Sequence, residues 1–446
     1  MCASWKRGYN PDVVTTGLES IKSISENGEV SFTGFEFDDY ATVLLSSPDI
    51  SSLLPDRYKR QIVHKGIYGV AKSNKLTVSA LLKEISKLEQ AYLREPTKQY
   101  LLATDISLHI PADHTRLVLE GKLITFSRHP SSKIQRDVFL RLGRAFLDRE
   151  LPKSYSCVHI VTSGRSPEEA GILALDTIDL LRGIWNFFLN RTRHLILHSG
   201  NRDPINKIML GPLHSLHSLN GKRLPDPFWY DATYVSPVQP IDLTKSWDKL
   251  RRFEKLVRGR LSRSHSKLYL EEAFRRYTRA LDEKSHETSF IKLWSLLEYL
   301  TNTLNQSYDV TIRRAASLWA DRAFHIEALQ HLRDHRNSAV HLDRWSAEIT
   351  TLLYQLKRYV EALLLRRTLN SAHLDFWNAY KQRVLRLCQL NITHYLVVGS
   401  VTFHASHSYR FANLEEIARF FDLPTDKRVL SQQKRLIQKR LRFIRT

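Results

Sequence analysis

Apolar positions along the chain follow two different periods, and the switch between them divides it. Leu81, Leu82, Ile85, Leu88 and Tyr92 recur at helical spacing, and residues 100–110 then alternate, with Ile106, Leu108 and Ile110 on one face. A second extended run through Leu117, Val118 and Leu119 reaches Gly121, which permits a tight turn into Leu123–Phe126. The pattern predicts a helix beside an antiparallel hairpin. Residues 157–162 form another β-like run. Ser166-Pro167-Glu168-Glu169 then offers a serine N-cap, proline at the first helical position and glutamate at N3, so a long helix should begin there. Its apolar set, Ile172, Leu175, Ile178, Leu181, Trp185 and Phe188, is a stripe that a sheet or a second helix has to cover. Asn220-Gly221 reads as a hairpin turn, and Pro225, Pro227, Pro237 and Pro240 as a linker or loop-rich boundary.

From about Ile241 the period becomes helical almost throughout. Residues 251–279 carry ten Lys or Arg and three Glu. Amphipathic segments follow at 268–281, 290–300, 311–319, 326–342 and 349–365, and their short polar connections predict an antiparallel bundle. Beyond Ser371 come one more helical pattern, a β-like run at 395–403, and a helix introduced by Asn413 with Glu416 at N3. Residues 427–446 hold eight basic residues and no acid around Leu430, Ile437, Leu441 and Ile444, a basic amphipathic helix. The fold class predicted is therefore α+β. A mixed α/β region occupies 1–245, an all-helical bundle 246–370, and a short α/β extension 371–446.

Composition narrows the function classes. A chain of 446 residues with 42% apolar and 10% aromatic content has enough material for two or three cores, which excludes disorder as the main state. Cys2, Cys157 and Cys388 lie far apart with no C-x-x-C spacing, neither a disulfide framework nor a structural zinc site, and a reducing cytoplasmic compartment fits. Trp5, Lys6, Arg7, Asp12 and Glu19 interrupt any signal peptide, and Asp176, Asp179 and Arg182 interrupt the most apolar long segment, so no membrane partner is expected. The formal charge of +21, from 67 Lys and Arg against 46 Asp and Glu, favours a polyanionic partner. No Walker sequence, G-x-G-x-x-G or G-x-S-x-G is present, which argues against P-loop, dinucleotide and α/β-hydrolase chemistry.

The segment richest in chemistry is Leu332-Arg333-Asp334-His335-Arg336-Asn337-Ser338-Ala339-Val340-His341. On a helix Arg333, Asn337 and His341 fall on one face a turn apart, with Arg336 beside them. Imidazole exchanges a proton near neutral pH, and a guanidinium holds a phosphate bidentately and offsets the charge that grows on it. Together they are equipment for metal-independent RNA cleavage, with no cofactor and no metal. A solvated helix face is the competing reading of the same residues, and a non-catalytic RNA-binding dimer or a protein-binding scaffold the competing functions.

The run Arg336 to His341, R-N-S-A-V-H, resembles the R-x-x-x-x-H motif of HEPN domains, including the Asn that often follows the Arg. Trp294-Ser295-Leu296-Leu297-Glu298-Tyr299-Leu300 is similar to the family's earlier helix with its acidic residue, and Arg313-Arg314 falls in the intervening helix. The resemblance covers about residues 262–368. With the larger α/β region before it, the arrangement is similar to ApeA-type HEPN proteins of bacterial anti-phage defence. One departure is Leu342-Asp343 where many members have Gly after the histidine.

The resemblance implies a homodimer in which two motifs face each other as a composite endoribonuclease site. His341 would move a proton at the 2′-hydroxyl or the leaving oxygen, Arg336 would hold the scissile phosphate, and Asn337 would orient either. Glu298 and Arg333 would support them: Glu298 either pairs with Arg336 or Arg333 or lies outside the site. Arg313 and Arg314 would contact RNA. Transfer RNA is a plausible substrate, residues 1–245 would sense a trigger such as a phage protein or control access, and the outcome would be abortive infection. Two other motifs are weaker. His404-Ala405-Ser406-His407 reads as a loop rather than a metal or phosphoesterase element, and Gly164-Arg165-Ser166 as a plain N-cap rather than an anion site.

Overall fold

A computed structural model describes residues 4–34, 36–51, 54–73, 75–111, 115–128, 155–190, 204–230, 239–303, 306–342 and 348–369, without the side chains of 57, 73, 223, 225–230 and 339–342. The elements read at 395–403, at Asn413 and at 427–446, and the His404 to His407 segment, lie outside the described residues. The described residues comprise a mixed α/β region followed by a mostly helical one, and form two compact units that divide inside one helix, between Phe253 and Glu254.

The first unit opens with a small helical layer: α1 (Pro11–Ser20), α2 (Glu36–Ser46), α3 (Asp56–Ser73) and α4 (Val78–Arg94), with a short β2–β3 hairpin (Lys22–Ile24, Val30–Phe32) and a β1–β4 pair (Ser4–Trp5, Pro48–Asp49). Leu18, Leu44, Val63, Ile67, Leu81 and Ile85 form its core. Leu81, Ile85 and Tyr92 are the buried face of α4, whose N-cap Thr77 accepts a bond from the Ala80 amide.

The sheet that follows is antiparallel throughout. It runs in the order β11 (Arg223–Tyr230), β10 (Leu213–His217), β5 (Lys98–Ile106), β9 (Ser156–Gly164), β8 (Lys122–Ser127), β7 (Thr115–Leu119). Two further short strands, β6 (Leu108–His109) and β12 (Ile241–Asp242), pair with each other in parallel. β7 and β8 form the predicted hairpin. Its turn residues Glu120 and Gly121 both have positive φ, 49° and 74°, the geometry of a type I′ turn. Asn220-Gly221 turns β10 into β11, with the Ser218 amide donating to the Lys222 carbonyl at 2.9 Å. Pro225 and Pro227, read from the sequence as part of a linker or loop, instead lie in β11 at the edge of the sheet. An edge strand needs hydrogen bonds on one side only, so prolines are tolerated there, and the register with β10 shifts between Ser215 and His217 opposite them.

The long helix expected after Ser166 is α5 (Pro167–Leu189), and its N-cap hydroxyl accepts from the Glu169 amide at 3.1 Å. The Arg165 amide donates to the Glu169 carboxylate, and the Arg165 guanidinium pairs with it at 2.7 Å. These groups satisfy the helix start itself, in keeping with a plain N-cap. Gly164 is obligatory for this entry, because a Cβ there would meet the Ala170 backbone nitrogen at 2.6 Å. Ala174, Ile178, Leu181 and Trp185 are fully buried, and Trp185 packs on Phe126 of β8 at 5.5 Å. The charges that break this apolar helix neutralise each other: Arg182 bonds Asp179 at 2.6 Å and the Ile208 carbonyl at 2.9 Å. Among the described residues no helix is long and apolar enough to cross a membrane.

The second unit is built from the carboxyl-terminal part of α6 (Trp247–Ser262) with α7 (Lys267–Leu281), α8 (His286–Thr301), α9 (Tyr308–Ala316), α10 (Arg322–Leu342) and α11 (Ile349–Leu369). Four of the five predicted segments fall inside these helices. The segment read as 311–319 ends at Ala316 instead. The helices begin at polar caps that lie outside the apolar periodicity, Ser285 for α8 and Ser307 for α9. α8 is the central element, packed against α7, α9, α10 and α11.

Replacing Arg182 by Ala should destabilise the first unit by about 3–5 kcal/mol, because it removes a buried ion pair to Asp179 and the bond to the Ile208 carbonyl. Chemical denaturation followed by fluorescence checks this, and a change below about 1 kcal/mol would mean that the pair is effectively solvated.

Candidate functional site

α10 carries the candidate motif. Asp321 starts it by accepting a bond from the Phe324 amide at 3.2 Å, and Leu329 and Leu332 turn one face into the bundle with no exposed surface. That choice of face fixes the orientation of Arg333, His335, Arg336 and Asn337. His335, one turn after Leu332, points inward and meets the edge of Phe290 at 5.3 Å and 90°. Burial, and secondarily the neighbouring His331, lowers its pKa below the ordinary 6.5. His335 is thus a packed residue of the bundle.

Arg336 and Asn337 are adjacent and half-buried. The Arg336 guanidinium lies over the ring of Tyr308, the first residue of α9, at 5.3 Å, and its Nη1 donates to Asn337 Oδ1 at 3.4 Å. A guanidinium stacked on a ring keeps its in-plane N–H groups directed outward and loses little further freedom when it binds an anion. Tyr308 itself stands edge-on to Trp294 at 6.1 Å, and the Trp294 indole donates to Glu298 Oε1 at 2.8 Å. A relay of contacts therefore runs from Glu298 through two rings to Arg336. Neither ion pair that the sequence suggested for Glu298, with Arg333 or with Arg336, occurs among the described residues.

His341 is the penultimate residue of α10, and its side chain lies outside the described residues. On an α-helix positions four apart lie on one face, so the backbone places His341 one turn beyond Asn337, which Arg336 reaches.

Two of the remaining candidates have structural partners. Arg333 bonds Asp334 at 2.8 and 3.0 Å and Asp309 at 3.4 Å, so two carboxylates offset its charge. Arg314 donates to the Thr301 and Asn302 carbonyls at 2.7 and 2.9 Å and so caps the carboxyl end of α8, where Asn302 takes a left-handed φ of 54°. Arg313 is exposed. Among the described residues no three His, Cys, Asp or Glu side chains gather as metal ligands.

Sequence reasoning missed Tyr308. Its place beneath Arg336 depends on how α9 meets α10, which no local pattern encodes. Trp294 was visible four residues before Glu298, a spacing that puts the two side chains on one helix face. Comparisons of the chain with protein-family profiles, with curated proteins and with solved structures return no match.

Two outcomes follow. Removing the Arg314 guanidinium (Arg314→Ala) should lower thermal stability by about 1 kcal/mol through loss of the α8 cap, and an unchanged melting temperature would contradict that role. For His335, the unfolded chain takes up the proton more readily than the folded one. The stability it supports is therefore present above about pH 6.5 and is withdrawn as pH falls below it. His335→Gln should flatten the fall of Tm between about pH 7.5 and 5.5, and an unchanged slope would show that other groups cause it.

Proposed function

We propose that the chain is a metal-independent endoribonuclease of the HEPN type, cytosolic and dimeric, in which α7 to α11 form the nuclease bundle. The observation that carries the reading is Arg336, stacked on Tyr308 and steadied by Asn337, in an R-N-S-A-V-H run on a helix packed against the central helix of the bundle. Such a guanidinium is suited to hold a scissile phosphate and to offset the charge that develops as the 2′-hydroxyl attacks it. His341 serves as the proton-transfer group at that hydroxyl or at the departing 5′-oxygen, and Asn337 orients either partner.

The homodimer rests on the family resemblance. In it two copies of the motif would face each other and share one composite site. Glu298 acts through Trp294 and Tyr308 as a positioning residue. The chain's charge of +21 supports RNA, with transfer RNA the leading candidate, as the polyanionic partner. The proposed physiological role is growth arrest on phage infection, with the amino-terminal α/β region restraining the bundle until a phage-derived trigger is sensed; this part rests on the family resemblance alone.

A second reading is a non-catalytic RNA-binding dimer. It is favoured by the engagement of Arg336 with Tyr308, which suffices to hold the arginine for a simple phosphate contact.

RNA incubated with purified protein in EDTA should be cut by the wild-type chain. Arg336→Ala and His341→Ala should each lower the rate by about a hundredfold or more. Equal cleavage by all three would exclude the assignment, and salt-dependent binding without cleavage would select the second reading. In cells, wild-type expression should slow growth and His341→Ala should not, read as doubling time after induction.

A further inference from the structure

At the carboxyl end of α8, away from the motif, four side chains from three helices form a single stack. The Arg276 guanidinium of α7 lies 4.3 Å over the ring of Tyr299. Tyr299 stacks on Tyr269 at 4.3 Å and 15° between planes, and the Arg367 guanidinium of α11 covers the far side at 5.7 Å from the Tyr269 centroid. The two rings are locked to each other's backbone. Tyr269 Oη donates to the Tyr299 carbonyl, and Tyr299 Oη donates to the Tyr269 carbonyl at 3.3 Å. Burial raises both phenol pKa values, so the rings stay neutral between the two cations.

This arrangement has consequences beyond packing. The phenol hydroxyls are committed inward, so the groups left to meet a partner are the two guanidiniums, both on exposed residues. Arg276 gives its Nε to Glu272 at 2.9 Å and has its Nη groups in addition. Arg366 and Arg367 are exposed, and among the described residues neither has a carboxylate partner. The dipole of α11 accounts for arginines in its last turn. It does not account for Arg276, which comes from α7 and completes the stack from the other side. A stacked guanidinium directs planar N–H pairs at a phosphate and offers its open face to a base, so two of them held apart by a rigid neutral spacer match a flexible strand of alternating phosphates and bases.

We propose that the Arg276–Tyr299–Tyr269–Arg367 stack is a grip for single-stranded RNA, distinct from the Arg336 site, that holds the strand while its scissile bond lies elsewhere on the bundle. Tyr299 follows Glu298 directly on α8, so the stack and the Glu298–Trp294–Tyr308–Arg336 relay leave the same turn on faces roughly 100° apart. RNA as the occupant rests on the ribonuclease reading; the geometry of the grip does not.

The test is fluorescence anisotropy of a labelled oligouridine of roughly 12 nucleotides. It uses the full-length chain carrying His341→Ala, so that the probe stays intact, across a series of salt concentrations. Adding Arg276→Gln and Arg367→Gln together should weaken binding about tenfold or more. It should also reduce the slope of log affinity against log salt by about 1.4, two phosphates' worth on a single strand. Replacing both by Lys, which keeps charge but loses the planar fork, should fall between parent and Gln variant. Parental affinity and slope in the Gln variant, with a parental circular-dichroism spectrum, would overturn the proposal. So would loss of heparin binding with oligouridine binding intact, or failure of the parent to bind oligouridine. Cleavage is not read in this assay, so a nuclease reading that fails in EDTA and a grip that fails here are separate results.

Discussion

The helical unit depends on covering α8. Phe290, Leu293, Trp294, Leu296, Leu297 and Leu300 have essentially no exposed surface, so this helix is apolar on more sides than one neighbour could shield. Burying side chains of this size is worth about 1.5–3 kcal/mol each, far more than any surface ion pair in the unit. The helices around α8 take their places for that reason, and the candidate residues sit where they meet it. Tyr308 reaches Arg336 because α9 must lie against α8. His335 faces Phe290 because α10 must turn Leu329 and Leu332 inward.

The same packing sorts the unit's positive charge. Several Lys and Arg of the helical unit have partners that offset or anchor their charge. Arg333 is held by two aspartates, Arg314 caps a helix, Arg258 pairs with Glu254, and Lys357 is buried against Glu361. Among the described residues Arg313, Arg366 and Arg367 are exposed, Arg336 lies over a tyrosine ring, and Arg276 both lies over a ring and pairs with Glu272. Stacking leaves the charge in place and fixes its direction, whereas pairing with a carboxylate largely cancels it.

Local rules made much of the fold legible. Ser166 as a cap, Gly121 and Asn220-Gly221 as turns, and the helical segments of the second unit all rest on interactions within a few residues, which sequence displays directly. Other features depend on distant partners. β9 inserts between β5 and β8, Pro225 and Pro227 join an edge strand, and the helices before α4 pack on one another without any pattern that announced them. In the candidate site, the adjacency of Arg336 and Asn337 was readable from spacing. The ring beneath Arg336 and the cap made by Arg314 were not, because both are contacts between helices. Glu298 illustrates the intermediate case: its helix face was clear, while its partner turned out to be Trp294 on its own helix.

The proposed ribonuclease would use Arg336 and His341, on a bundle organised around α8, for cleavage through the 2′-hydroxyl. Sequencing cellular RNA ends after brief induction reads that chemistry directly. Wild-type protein should generate new 2′,3′-cyclic phosphate ends paired with 5′-hydroxyl ends at discrete positions, and His341→Ala should not. New ends that accumulate equally in both strains, or wild-type ends bearing 3′-hydroxyl and 5′-phosphate, would contradict it.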